Sequence, residues 1–105
     1  MDRISKHDFE TIMTESESLF LGTSNRPLAE RELESRVIRS TDSGHDWCGA
    51  RRVVKRQSNC LVFSDDSRLC TDQKNQAFYK GDRFLCRKVT TDDGEYASYV
   101  WYWLV

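Results

Sequence analysis

The last ten residues of the chain, Tyr96 to Val105, are apolar in both parities of an extended strand. One parity presents Tyr99, Trp101, Trp103 and Val105; the other presents Tyr96, Val100, Tyr102 and Leu104. Successive side chains of a strand point to opposite faces, so this segment has no face suited to water. It needs cover on both sides or a place at an interface. The rest of the chain has to provide that cover.

The N-terminus offers part of it. Ser5-Lys6-His7-Asp8 fits the Ser-x-x-acid capping box, with Ile4 and Phe9 placed to staple the helix entry. Phe9, Ile12, Met13 and Phe20 then fall on one helical face, while Glu10, Glu15 and Glu17 lie mainly on the other. Residues 6–20 therefore read as an amphipathic helix that docks its apolar stripe on a sheet, with Gly22 as the stop. Pro27 can open a short second helix through about Leu33. Leu33 to Ser40 reads as a strand centred on Val37 and Ile38, and residues 41–50 read as loop.

From Arg51 onward the period is close to two. Arg52–Gln57, Cys60–Phe63, Arg68–Cys70, Ala77–Tyr79, Arg83–Val89 and Tyr96–Leu104 are the candidate strands. Lys80-Gly81-Asp82 supplies a tight turn, and Asp93-Gly94 is the strongest hairpin signal. The sum is an α+β domain spanning residues 1–105. An N-terminal amphipathic helix packs on a curled antiparallel meander of about five or six strands. One such helix covers one side of a small sheet. The second aromatic face then needs strand curling, a second copy of the chain or another protein.

A chain of 105 residues has room for one core and buries about two-thirds of the surface it exposes when unfolded. Twelve aromatic residues are enough to fill that core without a metal or disulfide staple. Net charge is −1, so no global field draws the chain to DNA or an anionic membrane. Charge is nevertheless uneven. Residues 1–35 carry eight acids against four Lys or Arg, and residues 36–58 carry six Lys or Arg against two Asp. Arg36, Arg39, Arg51, Arg52, Lys55 and Arg56 would make a phosphate-binding patch if their strands paired. Arg51, Arg52, Lys55 and Arg56 are the candidate nucleic-acid contacts. Neighbours on a strand point to opposite faces, however, and the acidic N-terminal segment can neutralise such a patch internally.

No catalytic or cofactor motif is present. His45 and Cys48 are the one close ligand pair, and Cys60, Cys70 and Cys86 lack the paired spacing of a zinc knuckle. The sequence His45-Asp46-Trp47-Cys48 holds the residue types of a nucleophile and base, but chain neighbours seldom aim at one another. Asp65-Asp66 and Asp92-Asp93 read as turn formers. No enzyme activity, metal or cofactor is expected. Residues 1–20 are charged throughout, which argues against a signal peptide, and no segment is long and apolar enough to span a membrane. The acidic face of the helix has the wrong sign for anionic lipid. A cytoplasmic protein with four free thiols is therefore expected.

The functional expectation is a small non-catalytic protein-binding module, an inhibitor or adaptor of the size phages and mobile elements encode. Its contact face centres on Tyr99, Trp101 and Trp103, because Tyr and Trp anchor protein interfaces. The partner is another protein, or a second copy paired along the C-terminal strand edge. The alternative is a small nucleic-acid-binding protein that uses the basic segment 36–56.

Overall fold

The computed structural model describes residues 1–42, 50–51, 53–63, 66, 68–70 and 75–104. Strand β1 (Asp2–Ile4) leads into helix α1 (Lys6–Glu15), strand β2 (Ser18–Ser24) and helix α2 (Glu30–Asp42). Strands β3 (Ala50–Arg51), β4 (Val53–Gln57), β5 (Cys60–Phe63), β6 (Arg68–Cys70), β7 (Gln76–Lys80), β8 (Phe84–Thr90) and β9 (Ala97–Leu104) follow. They form a six-stranded antiparallel sheet in the order β1-β7-β8-β9-β2-β3 and a three-stranded sheet, β4-β5-β6. The α+β class and the β7-β8-β9 meander match the sequence reading.

Helix α1 starts where the capping box puts it. The Asp8 N–H donates to Ser5 Oγ at 3.0 Å, and Ile4 packs with Phe9 in one cluster. The helix ends at Glu15, not at Phe20. The stretch 18–21 alternates: Leu19 and Leu21 go to one side of the sheet and Phe20 to the other. A helix through Phe20 would have spent Phe20 and left Leu19 and Leu21 unburied, so period two wins there. Pairing β2 along β9 also satisfies one whole hydrogen-bonding edge of the aromatic strand.

Helix α2 is the second correction. The segment 33–40, read as a strand, is the body of a continuous helix. Leu33 and Val37 sit one turn apart and pack on the same cluster, whereas Ile38 points out and is 58% exposed. The apolar pair Val37-Ile38 imitates a strand, but the helix-forming run Glu30–Arg36 and the i, i+4 stripe prevail. Glu32 closes the helix entry. Its carboxylate accepts the Ala29 N–H at 3.2 Å and takes both guanidinium nitrogens of Arg26, at 3.1 and 2.6 Å.

The large sheet is covered on both faces. Against one lie α1 and β5, where Phe9, Met13, Leu61, Phe63, Phe78, Leu85, Val100 and Tyr102 form a cluster. The Phe9 and Phe78 ring centroids are 4.7 Å apart. Against the other lies α2, over Leu19, Leu21, Phe84, Cys86 and Trp101. Strand β2 bulges between Phe20 and Gly22, where Gly22 takes φ +95°. Arg36 of α2 holds this bulge by donating to the carbonyls of Leu21 (3.1 Å) and Thr23 (3.2 Å). A Cβ at Gly22 would stand 3.4 Å from that guanidinium.

The cysteines also depart from expectation. Cys60 and Cys70 are directly opposed on β5 and β6 and form a disulfide across Cα atoms 4.0 Å apart. Only Cys86 is free among the described residues, and it is buried. Spacing hides this pairing, because the hairpin register alone brings residues ten apart face to face. Structural disulfides persist in oxidising surroundings, so the thiols lend no support to a reducing compartment.

Replacing both Cys60 and Cys70 by Ser frees a loop of about ten residues in the unfolded chain, and stability should fall by about 3 kcal/mol. Urea unfolding of the oxidised protein and the double variant measures this. The paired environment of Glu32 holds its carboxyl down to about 2 from 4.5, chiefly through Arg26 and then the Ala29 amide. A folded-state value below the unfolded one stabilises at pH above 4.5 and is lost as pH falls toward 2. The protection factor of the Ala29 amide, its exchange rate corrected for the intrinsic pH dependence, should therefore fall across that window, and Glu32→Gln should abolish that fall.

Candidate functional site

Strand β9 lies inside the sheet, hydrogen-bonded to β8 on one side and β2 on the other. It offers no edge to a symmetry mate, which removes the strand-edge homodimer expected from its terminal position. Its side chains divide as the alternation requires. Val100, Tyr102 and Leu104 pack on the α1 side; Tyr99, Trp101 and Trp103 pack on the α2 side.

Three cross-strand rows make up the α2 side. Phe84, Trp103 and Leu19 form the first; Tyr79, Cys86, Trp101 and Gly22 the second; Ala77, Lys88, Tyr99 and Ser24 the third. Leu33 and Val37 of α2 pack with Leu19, Phe84, Cys86 and Trp101. The third row is left at the margin of that cover, and Tyr79, Lys88 and Tyr99 are half-buried. The result is a hollow of about 310 Å³. Pro27, Leu28 and Met1 bound it with Tyr79, Lys88 and Tyr99, and the buried Cys86 and Trp101 make its floor.

The three residues expected to form the contact face have different positions. Trp101 is only 2% exposed, and its Nε1 donates to Ser24 Oγ at 2.8 Å. The Ser24 hydroxyl in turn donates to the Arg26 carbonyl at 2.6 Å. Tyr99 stacks beside Trp101, with centroids 6.2 Å apart and planes at 19°, and keeps one side toward the hollow. Trp103 is half-buried with the α2 cluster and lines no part of the hollow. Tyr79, Leu28 and Lys88 complete the site, and sequence reading did not select them. Their signal was the register: Tyr79 opposes Cys86, and Lys88 opposes Tyr99.

Lys88 Nζ stands 5.7 Å from the Tyr99 ring centroid, within cation–π range. Burial pushes the Cys86 thiol up to about 12, so at neutral pH it is a protonated apolar floor and not a nucleophile. A second hollow of about 580 Å³ shares Met1 and Leu28 with the first. Asp2, Glu30, Lys80 and Asp82 are its charged residues.

Among the described residues, the basic segment is divided between elements. Arg36 and Arg39 are on α2, and Arg36 is committed to the β2 bulge. The backbone of Arg51 pairs with Ser18. Arg52, His45 and Cys48 lie outside the described residues. Lys55 and Arg56 are exposed neighbours on β4, and Arg56 is ion-paired with the buried Glu10 of α1. Among the described residues no group of three or more His, Cys, Asp or Glu could hold a metal ion. None of the helices there is long and apolar enough to cross a membrane. Asp93 acts as the turn former expected of it, accepting from Thr91 Oγ1 at 2.5 Å and the Glu95 N–H at 2.9 Å. Compared with protein-family models, curated proteins and solved structures, the chain matches none.

Trp101→Ala should cost about 3–5 kcal/mol, the range for truncating a fully packed large aromatic. Tyr99→Ala should cost less than half as much, since one side of its ring already meets solvent. Urea midpoints of the two variants decide whether Tyr99 belongs to the core or to the groove.

Proposed function

We propose that this protein is a non-catalytic binding module that docks a segment of another protein in the aromatic groove beside α2. The observation that carries this reading is the half-buried pair Tyr79 and Tyr99 walling a hollow on an otherwise covered sheet face. Aromatic side chains with few rotatable bonds lose little entropy on contact and give large buried area, which is why they anchor interfaces. Volume narrows the occupant. Pockets for drug-sized ligands run from about 300 to 1,000 Å³, so a hollow of about 310 Å³ suits one or two side chains and not a dinucleotide.

The contact residues differ from those first selected by sequence. Tyr99 stays in the site, Tyr79, Leu28 and Lys88 join it, and Trp101 supports it from beneath. An inhibitor and an adaptor would use the same groove and differ only in what the bound segment does for its own protein.

Random peptides displayed on phage and selected on the folded wild-type protein test the reading. Selected peptides should lose about tenfold or more in affinity on Tyr79→Ala and Tyr99→Ala, the loss expected of interface anchors. Lys55→Ala, on the small sheet, should leave them unchanged. Peptides that bind both tyrosine variants as tightly as wild type would show that the groove is not the docking site.

A further inference from the structure

The groove has one charged side chain on its walls, and this restricts what can enter it. Lys88 is the one side chain of charged type that lines it, and the amino end of the chain at Met1 borders it as well. Its cross-strand neighbours are Ala77 and Tyr99, so neither side of its row brings an acid. The described residues contain no carboxylate paired with it, and its ammonium rests near the Tyr99 ring. Several arginines, by contrast, are matched: Arg26 with Glu32, Arg56 with Glu10, and Arg83 with Glu30 and Glu34. Lys88 is instead a half-buried cation in an aromatic-walled hollow, with no carboxylate partner among the described residues.

From this we infer that the groove selects partner segments that place a carboxylate beside a large apolar side chain. The apolar group lies between Leu28 and the two tyrosines, and the carboxylate meets Lys88 Nζ. Two features argue for that pairing. Insertion of an apolar group thins the water around the ammonium, which strengthens its attraction to an anion. A carboxylate is also disfavoured in the adjoining hollow, which sets Asp2, Glu30 and Asp82 against a single Lys80. The acidic residue is thereby fixed at the Lys88 end, and the segment is oriented. This inference rests on the binding-module reading and adds the chemistry of the partner.

The test uses three capped tetrapeptides, Gly-Trp-Asp-Gly, Gly-Trp-Asn-Gly and Gly-Trp-Lys-Gly, and the small acid indole-3-acetate. Each is titrated into the oxidised full chain and followed by amide chemical shifts. The Asp peptide should shift the Tyr79, Lys88 and Tyr99 amides and bind about tenfold or more tighter than the Asn peptide, the scale of a charge-assisted hydrogen bond. Lys88→Gln should level the Asp and Asn peptides, Lys88→Arg should restore the preference, and Lys88→Glu should turn it toward the Lys peptide. Amide spectra of the three variants verify that they fold. Equal binding of Asp and Asn peptides at the groove would overturn the inference and leave the binding-module reading standing. Indole-3-acetate binding as tightly as the Asp peptide would overturn it in favour of a small-molecule occupant. Failure of every probe to shift the groove amides would overturn both readings.

Discussion

The burial of β9 on both faces is the constraint on which the remaining structure depends. A strand with Val100, Tyr102 and Leu104 on one side and Tyr99, Trp101 and Trp103 on the other cannot sit at the surface of a sheet. It takes the interior of the sheet, where β8 and β2 satisfy its backbone from both sides. Apolar surface is then removed from water twice, once under α1 and β5 and once under α2. At about 25 cal/mol per Å² of apolar area, two-sided burial of large aromatics outweighs the local preferences of the short segments around it. The end of α1 at Glu15 and the recruitment of 18–24 as a strand are local consequences.

The groove follows from how that cover ends. Helix α2 is anchored by Arg36 to the bulge at Leu21 and Gly22 and entered through the Arg26–Glu32–Ala29 contacts. Those two fixtures set which rows of the sheet it reaches. The row of Lys88 and Tyr99 lies beyond it, and the Pro27-Leu28 approach to the helix becomes a facing wall. The hollow is thus the margin between a sheet and a helix that does not extend far enough to close it. Its chemistry follows from the strand register: tyrosines on β7 and β9, a lysine on β8, and a protonated thiol beneath.

Ion pairing distributes charge in the same sense. The acidic and basic segments of the sequence neutralise one another in part, through Arg56 with Glu10, while Arg36 is held by backbone carbonyls. A run of cations that looks like a patch along the chain is divided between a helix and the strands of two sheets. Lys88, far from that run in sequence, lies in the aromatic groove.

Several elements were legible without coordinates. The capping box at Ser5, the turns at Gly81 and Gly94, and the strands of the β7-β8-β9 meander rest on local chemistry: a serine oxygen for a free amide, a glycine at a turn, side chains alternating along the backbone. The faces of β9 were determined in the same way, because alternation is a property of the chain itself. Pairing is not. The opposition of Cys60 to Cys70, of Lys88 to Tyr99, and of Leu19 to Trp103 exists only once strands distant in sequence meet in register. The choice of helix for 33–40 likewise belonged to the uncovered side of β9, since Leu33 and Val37 are worth burying only where an aromatic face awaits them. The sequence by itself determined that an aromatic strand must be buried twice. Tertiary structure decided which segments bury it and which row stays open, because that depends on contacts between residues that the chain's local preferences never see.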